Sequence, residues 1–283
     1  MCVSTGMQPI ALTDHIQLEC TRGGGCCHAQ RIPLTPWEIA GIAAAKSLSP
    51  GTARDRYTCE GGTRLKSSGV ADAQGRRACG LHEPGRGCSV HAGRPLACRL
   101  FPLGRRLDAA TPTYHLAGTT HPCNGPCPTF HAQPTTQVAS WLAGQGVGPG
   151  ETAHDAYGRL VNGLLGQAAA LDAPASETFA TSLRLIAAKD AATRAADLPW
   201  PWYELLTAPG LMDLVDDPSA FVHAHAERLL SALRAGFGGD GTDAAILVAT
   251  LAMHLGDPLG IPSTLAAEHA IALRGTASVA LSA

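Results

Sequence analysis

The chain has 283 residues, with 21 Lys/Arg against 23 Asp/Glu and a formal net charge of −2. Its 45% hydrophobic content is normal for a globular protein, although Ala and Gly inflate it and aromatics are scarce, and the length allows one large domain or two ordinary ones. The most apolar run, 244–255, is about half the ~20 residues a bilayer requires, so no transmembrane span is expected. Charge is unevenly placed: residues 1–107 hold 14 Lys/Arg against 7 Asp/Glu, and residues 108–283 hold 7 against 16. Such asymmetry fits either an anionic ligand on the basic half or two halves docked against each other.

In chain order, residues 1–19 read as an extended lead-in, with the alternation at Ile16 and Leu18 fitting a short strand. Gly23–Gly25 permit a tight turn of positive φ. Thr35-Pro36-Trp37-Glu38 then combines an N-cap, a first-turn proline and a glutamate at N3. It predicts a helix from about Pro36 to Lys46 that buries Trp37, Ile39 or Ala40, and Ala43 or Ala44. Residues 49–78 are polar and rich in Gly, Ser and Arg, and read as a loop. Residues 79–128 are dense in Gly, Pro and Cys, so a metal or a covering helix has to organise them; Thr113–Ala117 reads as a short strand. Beyond about residue 133, helical patterns cover 135–145, 151–171, 175–197, 218–236, 241–256 and 262–273. The fourth sets Val222, Ala226, Leu229 and Leu233 on one face. Pro199–Tyr203 reads as a stiff aromatic elbow that plugs a core.

All ten cysteines lie between Cys2 and Cys127. Residues 1–19 lack the basic, apolar and small-residue regions of a secretory signal, which points to a reducing cytoplasmic interior. Clustered thiols there are metal ligands or redox groups rather than a disulfide framework. Thiolates hold Zn²⁺ in closed tetrahedral sites and iron in iron–sulfur clusters. Cys20, Cys26, Cys27, Cys79, Cys88, Cys98 and Cys123 suffice for one full site and part of a second. In extended chain, the neighbours Cys26 and Cys27 project to opposite sides, so one can serve the metal while the other serves a second site or packs. No C-x-x-C occurs; Cys123–Cys127 is C-x₃-C and Cys88–His91 is C-x-x-H. Pro95 fixes the approach to Cys98 and Pro102 ends the segment. Arg94 and Arg99 either offset thiolate charge, grip a carboxylate or phosphate bidentately, or make structural ion pairs.

These residues carry a resemblance. Cys20…Cys26-Cys27, then Ile32-Pro-Leu-Thr-Pro-Trp-Glu-Ile39, then Cys79…Cys88-Ser-Val-His91 and Arg94-Pro…Cys98-Arg-Leu-Phe-Pro102 resemble the YkgJ-type cysteine-cluster family over about residues 18–127. The resemblance implies zinc or iron chelation, and flagellin lysine-N-methylase carries a similar pattern. The family's first cluster holds a further cysteine, as C-x-x-C before the double cysteine; here that position is Gly23. Either Cys123, Cys127 or Cys59 replaces the lost ligand, or the protein holds fewer metal ions. Cys2 and Cys59 match nothing in the pattern. His91 stands where the family tolerates Tyr or His, which gives it a packing role rather than a ligand's.

The expected protein is mainly α, an irregular cysteine-rich module (1–130) with a few short strands packed against a C-terminal helical bundle (131–283). Its expected function is metal binding, as an iron–sulfur cluster or zinc. The alternative is a methyltransferase that moves a methyl group from S-adenosylmethionine to a protein lysine beside an iron–sulfur site. No Gly-rich dinucleotide loop supports a nucleotide fold, and no G-x-S-x-G or H-E-x-x-H motif supports hydrolysis. Arg76-Arg77 and Arg105-Arg106 are isolated pairs without interleaved aromatics, which disfavours a nucleic-acid partner.

Overall fold

The computed structural model describes residues 8–16, 24–108, 111–116, 135–171, 177–198, 205, 210–236 and 241–280. The protein is mainly α, with its short strands in the N-terminal half. In order these are β1 (Gln8–Ile10), β2 (His15–Ile16), α1 (Pro36–Lys46), α2 (Pro50–Tyr57), β3 (Thr58–Cys59), β4 (Arg64–Leu65), β5 (His82–Glu83), β6 (Gly87–Cys88), α3 (Leu96–Leu100), β7 (Leu103–Asp108), β8 (Thr111–Leu116) and β9 (Thr136–Gln137). Among the described residues the further α-helices are α4 (Val138–Gln145), α5 (Gly148–Ala170), α6 (Glu177–Ala188), α7 (Ala191–Asp197), α8 (Pro218–Gly236), α9 (Gly241–Gly256) and α10 (Ser263–Ala280). The chain forms two compact units, one from Met1–Ile32 and Leu65–Glu151, the other from Pro33–Arg64 and Thr152–Ala283.

In the first unit an antiparallel sheet of order β1-β8-β7 is built on the β7–β8 hairpin, with Ile10 opposite Tyr114 and Arg105 opposite Tyr114 on the other side. β2 pairs with β9, which places Ile16 opposite Thr136. The core below is small: Ile16, Leu96, Leu100, Leu103, Val138, Trp141, Leu142 and Val147. Residues 66–95 lie outside this cluster; they contain the two-residue strands β5 and β6 and a single 3₁₀ turn, and bury Ala78, Leu81 and Val90.

The second unit starts from α1, where local chemistry and tertiary packing agree. Thr35 caps the helix, Glu38 returns a 2.7 Å bond to the Thr35 N–H, and Pro36 occupies the first turn. Ile39, Ala40, Ile42 and Ala43 are buried, whereas Ala44 is exposed and Trp37 is half-buried, its indole N–H donating to the Val215 carbonyl at 2.9 Å. The helices α5 to α10 supply the large core, with Tyr157, Leu164, Phe179, Leu183, Phe221, Leu229, Leu251 and Met253 fully buried. On α8, Val222, Leu229 and Leu233 are buried as expected, Ala226 is half-buried, and Phe221 and His225 complete the inner face.

Three local readings differ from the structure. The stretch 49–78 is not all loop, because Ser49 accepts the Thr52 N–H with Pro50 next to it, and this cap starts α2. The helix expected over 175–197 is broken into α6 and α7, because the Asp190 carboxylate takes the Thr193 N–H at 2.8 Å and opens a new helix. α10 runs on to Ala280, past the expected end at 273. The aromatic segment 199–203 lies outside the described residues.

Candidate metal centre

The site begins at the double cysteine. Gly24, at φ 76°, turns the chain left-handed, and Gly25–Cys27 make a single 3₁₀ turn closed by Cys27 N–H to Gly24 O at 2.9 Å. In such a turn successive side chains are about a third of a turn apart. Cys26 and Cys27 therefore both reach the same cavity, rather than the opposite sides that extended chain would give. The turn is stitched to the next cysteine: Cys79 N–H donates to Cys27 O at 2.8 Å and Ala29 N–H to Arg77 O at 3.1 Å.

Cys79-Gly80-Leu81-His82 is itself a tight turn, closed by His82 N–H to Cys79 O at 3.0 Å. Its Sγ accepts the Leu81 N–H at 3.4 Å, and the His82 amide also lies against the sulfur. The chain then folds into the β5–β6 hairpin, where His82 stands directly opposite Cys88. Pro95 opens α3, its carbonyl taking the Cys98 N–H at 3.0 Å and the Arg99 N–H at 3.1 Å, and this fixes Cys98 on the first turn.

Cys26, Cys27, Cys79, Cys88 and Cys98 thus line one cavity of about 70 Å³, together with His82, His91, Arg94 and the apolar side chains of Ile32, Leu65, Leu81, Val90 and Phe101. That volume holds several water-sized particles. None of the six described cysteines is in a disulfide. The hydrogen bond with Cys26 pushes the Cys27 thiol well up, and burial and the charges of Cys26, Cys98 and Cys79 add to it. Burial also raises Cys79, and the neighbouring Cys88 adds to this, while the Leu81 and His82 amides oppose it. Grouped thiols in an apolar wall resist ionising one after another, and a bound cation relieves that repulsion. Soft, convergent donors of this kind suit zinc or iron. Among the described residues, no group of three His, Cys, Asp or Glu side chains is placed to hold a metal ion.

The two arginines differ in their partners. Arg99 donates from Nε to Arg94 O at 2.9 Å, from Nη1 to Gln145 O at 2.9 Å, and from Nη2 to Ala92 O, so its guanidinium braces the loop before α3. Arg94 lines the cavity, donates from Nη2 to Gln145 Oε1 at 3.1 Å, and keeps a buried Nε without a hydrogen-bond partner. Two of the basic residues read from the sequence as isolated pairs face carboxylates: Arg76 lies 2.7 Å from Asp72 and Arg105 3.3 Å from Glu151.

Cys20, Cys123, Cys127 and Cys2 lie outside the described residues. Cys59 sits in β3 and does not line the cavity. Sequence reasoning passed over two histidines here. His82 lines the cavity, and His28 presents its ring edge-on to it, at 5.3 Å between centroids and 67°, with Nδ1 held by Gly24 O at 3.1 Å. Burial and, after it, the adjacent His28 lower the His82 pKa. The signal was available, since Cys79-x-x-His82 has the same C-x-x-H spacing as Cys88-x-x-His91.

Residues 19–128, about two fifths of the chain, match the family named CxxCxxCC, described as "Putative zinc- or iron-chelating domain". This segment carries the double cysteine, Cys79, Cys88 and Cys98. No curated protein and no solved structure matches the chain. Among the described residues, no helix is long and apolar enough to cross a membrane.

Proposed function

We propose that this chain is a metal-chelating protein whose cysteine thiolates hold zinc or iron. One observation carries the reading: five cysteines from four separate segments line a single cavity, with no disulfide among them. Thiols gathered from the Gly24–Cys27 turn, the Cys79 turn, β6 and α3 have no packing reason to share one small space. As metal ligands they do, because a metal supplies cohesion to segments with little regular structure of their own. Cys26, Cys27, Cys79, Cys88 and Cys98 are the proposed ligands within the cavity, with Cys20 and Cys123 added from the sequence pattern. Arg94 is proposed to offset their negative charge, and Arg99 to hold the turn that presents Cys98.

The number of thiolates favours iron in a cluster over a lone zinc ion. Clustered cysteines used as metal ligands fit a cytoplasmic location, where thiols stay reduced. Anaerobic purification followed by elemental analysis and an electronic spectrum tests the reading. It predicts zinc or iron bound to the chain, with sulfur-to-iron absorption if the metal is a cluster. A colourless protein holding neither metal would rule it out. Methyl transfer is a separate proposal that rests on the shared cysteine pattern, and equilibrium binding of S-adenosylmethionine to the metal-loaded chain decides it.

A further inference from the structure

We infer that His82 is a nitrogen donor to the metal, acting with Cys79 and Cys88 as a C-x-x-H knuckle on the β5–β6 hairpin. The inference rests on the chelation reading above and adds a ligand that the cysteine pattern does not contain.

Four observations converge. Cys79-Gly80-Leu81-His82 forms a turn whose backbone amides point at the Cys79 sulfur, with Leu81 N–H at 3.4 Å. Amide donors aimed at a sulfur stabilise its thiolate form. His82 then stands directly opposite Cys88 in an antiparallel pair. Residues so placed project from one face, with Cβ atoms about 5 Å apart. Further, the imidazole lines the same cavity as the five thiols, and its Nδ1 is buried without a hydrogen-bond partner. A buried ring nitrogen left unsatisfied is costly, and a metal bond removes that cost.

The fourth observation concerns the first cluster. The family name spells C-x-x-C-x-x-C-C, and here the sequence reads Cys20-Thr-Arg-Gly23-Gly-Gly-Cys26-Cys27, one thiol short. His82 packs against the glycine next to that position: a Cβ added to Gly24 would lie 2.3 Å from His82 Nε2. The imidazole therefore packs against the first cysteine cluster, the segment that is one thiol short of the family pattern. His28, held by Gly24 O at 3.1 Å, packs edge-on against the His82 ring. A nitrogen ligand among thiolates is compatible with zinc in a mixed site or with a cluster iron held by imidazole.

Titration of the metal-free full chain with Co²⁺ tests this, because sulfur-to-cobalt charge-transfer bands report the thiolates and the ligand-field bands report the donor set. The wild type is expected to show both. His82→Leu should lower Co²⁺ affinity about tenfold or more and shift the ligand-field bands. His82→Cys should recover affinity with bands moved toward an additional sulfur, and far-UV circular dichroism checks that each metal-free variant is folded. Unchanged affinity and bands in His82→Leu would overturn the inference and leave the chelation reading standing. A loss in His82→Leu that His82→Cys does not restore would also overturn it, in favour of packing. A wild type with no sulfur-to-cobalt band would overturn the chelation reading itself, and this inference with it.

Discussion

His82 and Cys88 face each other across the β5–β6 hairpin, and Cys79 lies three residues before the histidine at the mouth of the same turn. That relationship joins two stretches of sequence, the glycine-rich double cysteine and the segment from Cys79 to Cys98. The hairpin presents its donors to the cavity, and the Cys79 amide ties it to the carbonyl of Cys27 at 2.8 Å.

The thiols that line the cavity should matter for metal, and the one that does not line it should not. Cys79→Ser and Cys98→Ser are expected to weaken metal binding at least about tenfold in competition with a chromogenic chelator. Cys59→Ser, in β3 of the second unit, should bind as the wild type does. Equal losses in all three would mean that the variants unfold rather than lose a ligand.

Removing the metal should loosen one part of the chain selectively. The residues from Cys79 to Cys98 contain two two-residue strands, one 3₁₀ turn and the start of the short α3, whereas α8 and α9 are anchored by fully buried Phe221, Leu229, Leu251 and Met253. Hydrogen exchange after chelation is therefore expected to speed up across 79–98 and stay slow in α8 and α9. Uniform protection with and without chelator would contradict this.

Acid should destabilise the helical unit through buried histidine. His225 donates from Nε2 to Leu205 O at 2.5 Å and lies 3.0 Å from the Tyr157 hydroxyl by Nδ1, and burial pushes its pKa down to about 4. Burial pushes His254 down to about 4 as well. The unfolded chain takes up these protons near pH 6.5, while the folded chain resists until about pH 4. Their contribution is thus fully present above pH 6.5 and is lost as pH falls toward 4, on the order of 3 kcal/mol for each histidine. Urea midpoints of the metal-free protein at pH 7.5 and 4.5 check the direction, and a flat or rising stability toward acid would contradict it.

The cap of α1 offers a control that separates stability from chemistry. Thr35 Oγ1 donates to Glu38 Oε2 at 2.9 Å and takes the Glu38 N–H at 3.4 Å, at a site where both residues are buried. Thr35→Ala should cost about 1–2 kcal/mol in denaturant unfolding and leave metal affinity unchanged.

The sequence showed most clearly what depends on neighbouring residues. Thr35, Pro36 and Glu38 announced α1, and the apolar period of α8 placed Val222, Leu229 and Leu233 inside, because caps and helical faces are set within a turn or two. Ser49-Pro50 and Asp190 follow the same rules, but polar composition hid α2, and an unbroken helical period hid the break before α7. The cysteines named as candidates and described here do share a cavity, yet the sequence did not show that Cys26 and Cys27 point the same way. That follows from the 3₁₀ turn after Gly24. His82 was overlooked for a similar reason: C-x-x-H occurs twice, and only the register of the hairpin distinguishes the copy that faces a second cysteine.

The central claim is that thiolates hold a metal, and X-ray absorption at the metal edge of the anaerobically purified protein tests it most directly. The account predicts zinc or iron with a first shell dominated by sulfur, near 2.3 Å for zinc, and a smaller nitrogen contribution that disappears in His82→Leu. A shell of oxygen and nitrogen alone, or a chain that binds neither metal, would contradict it.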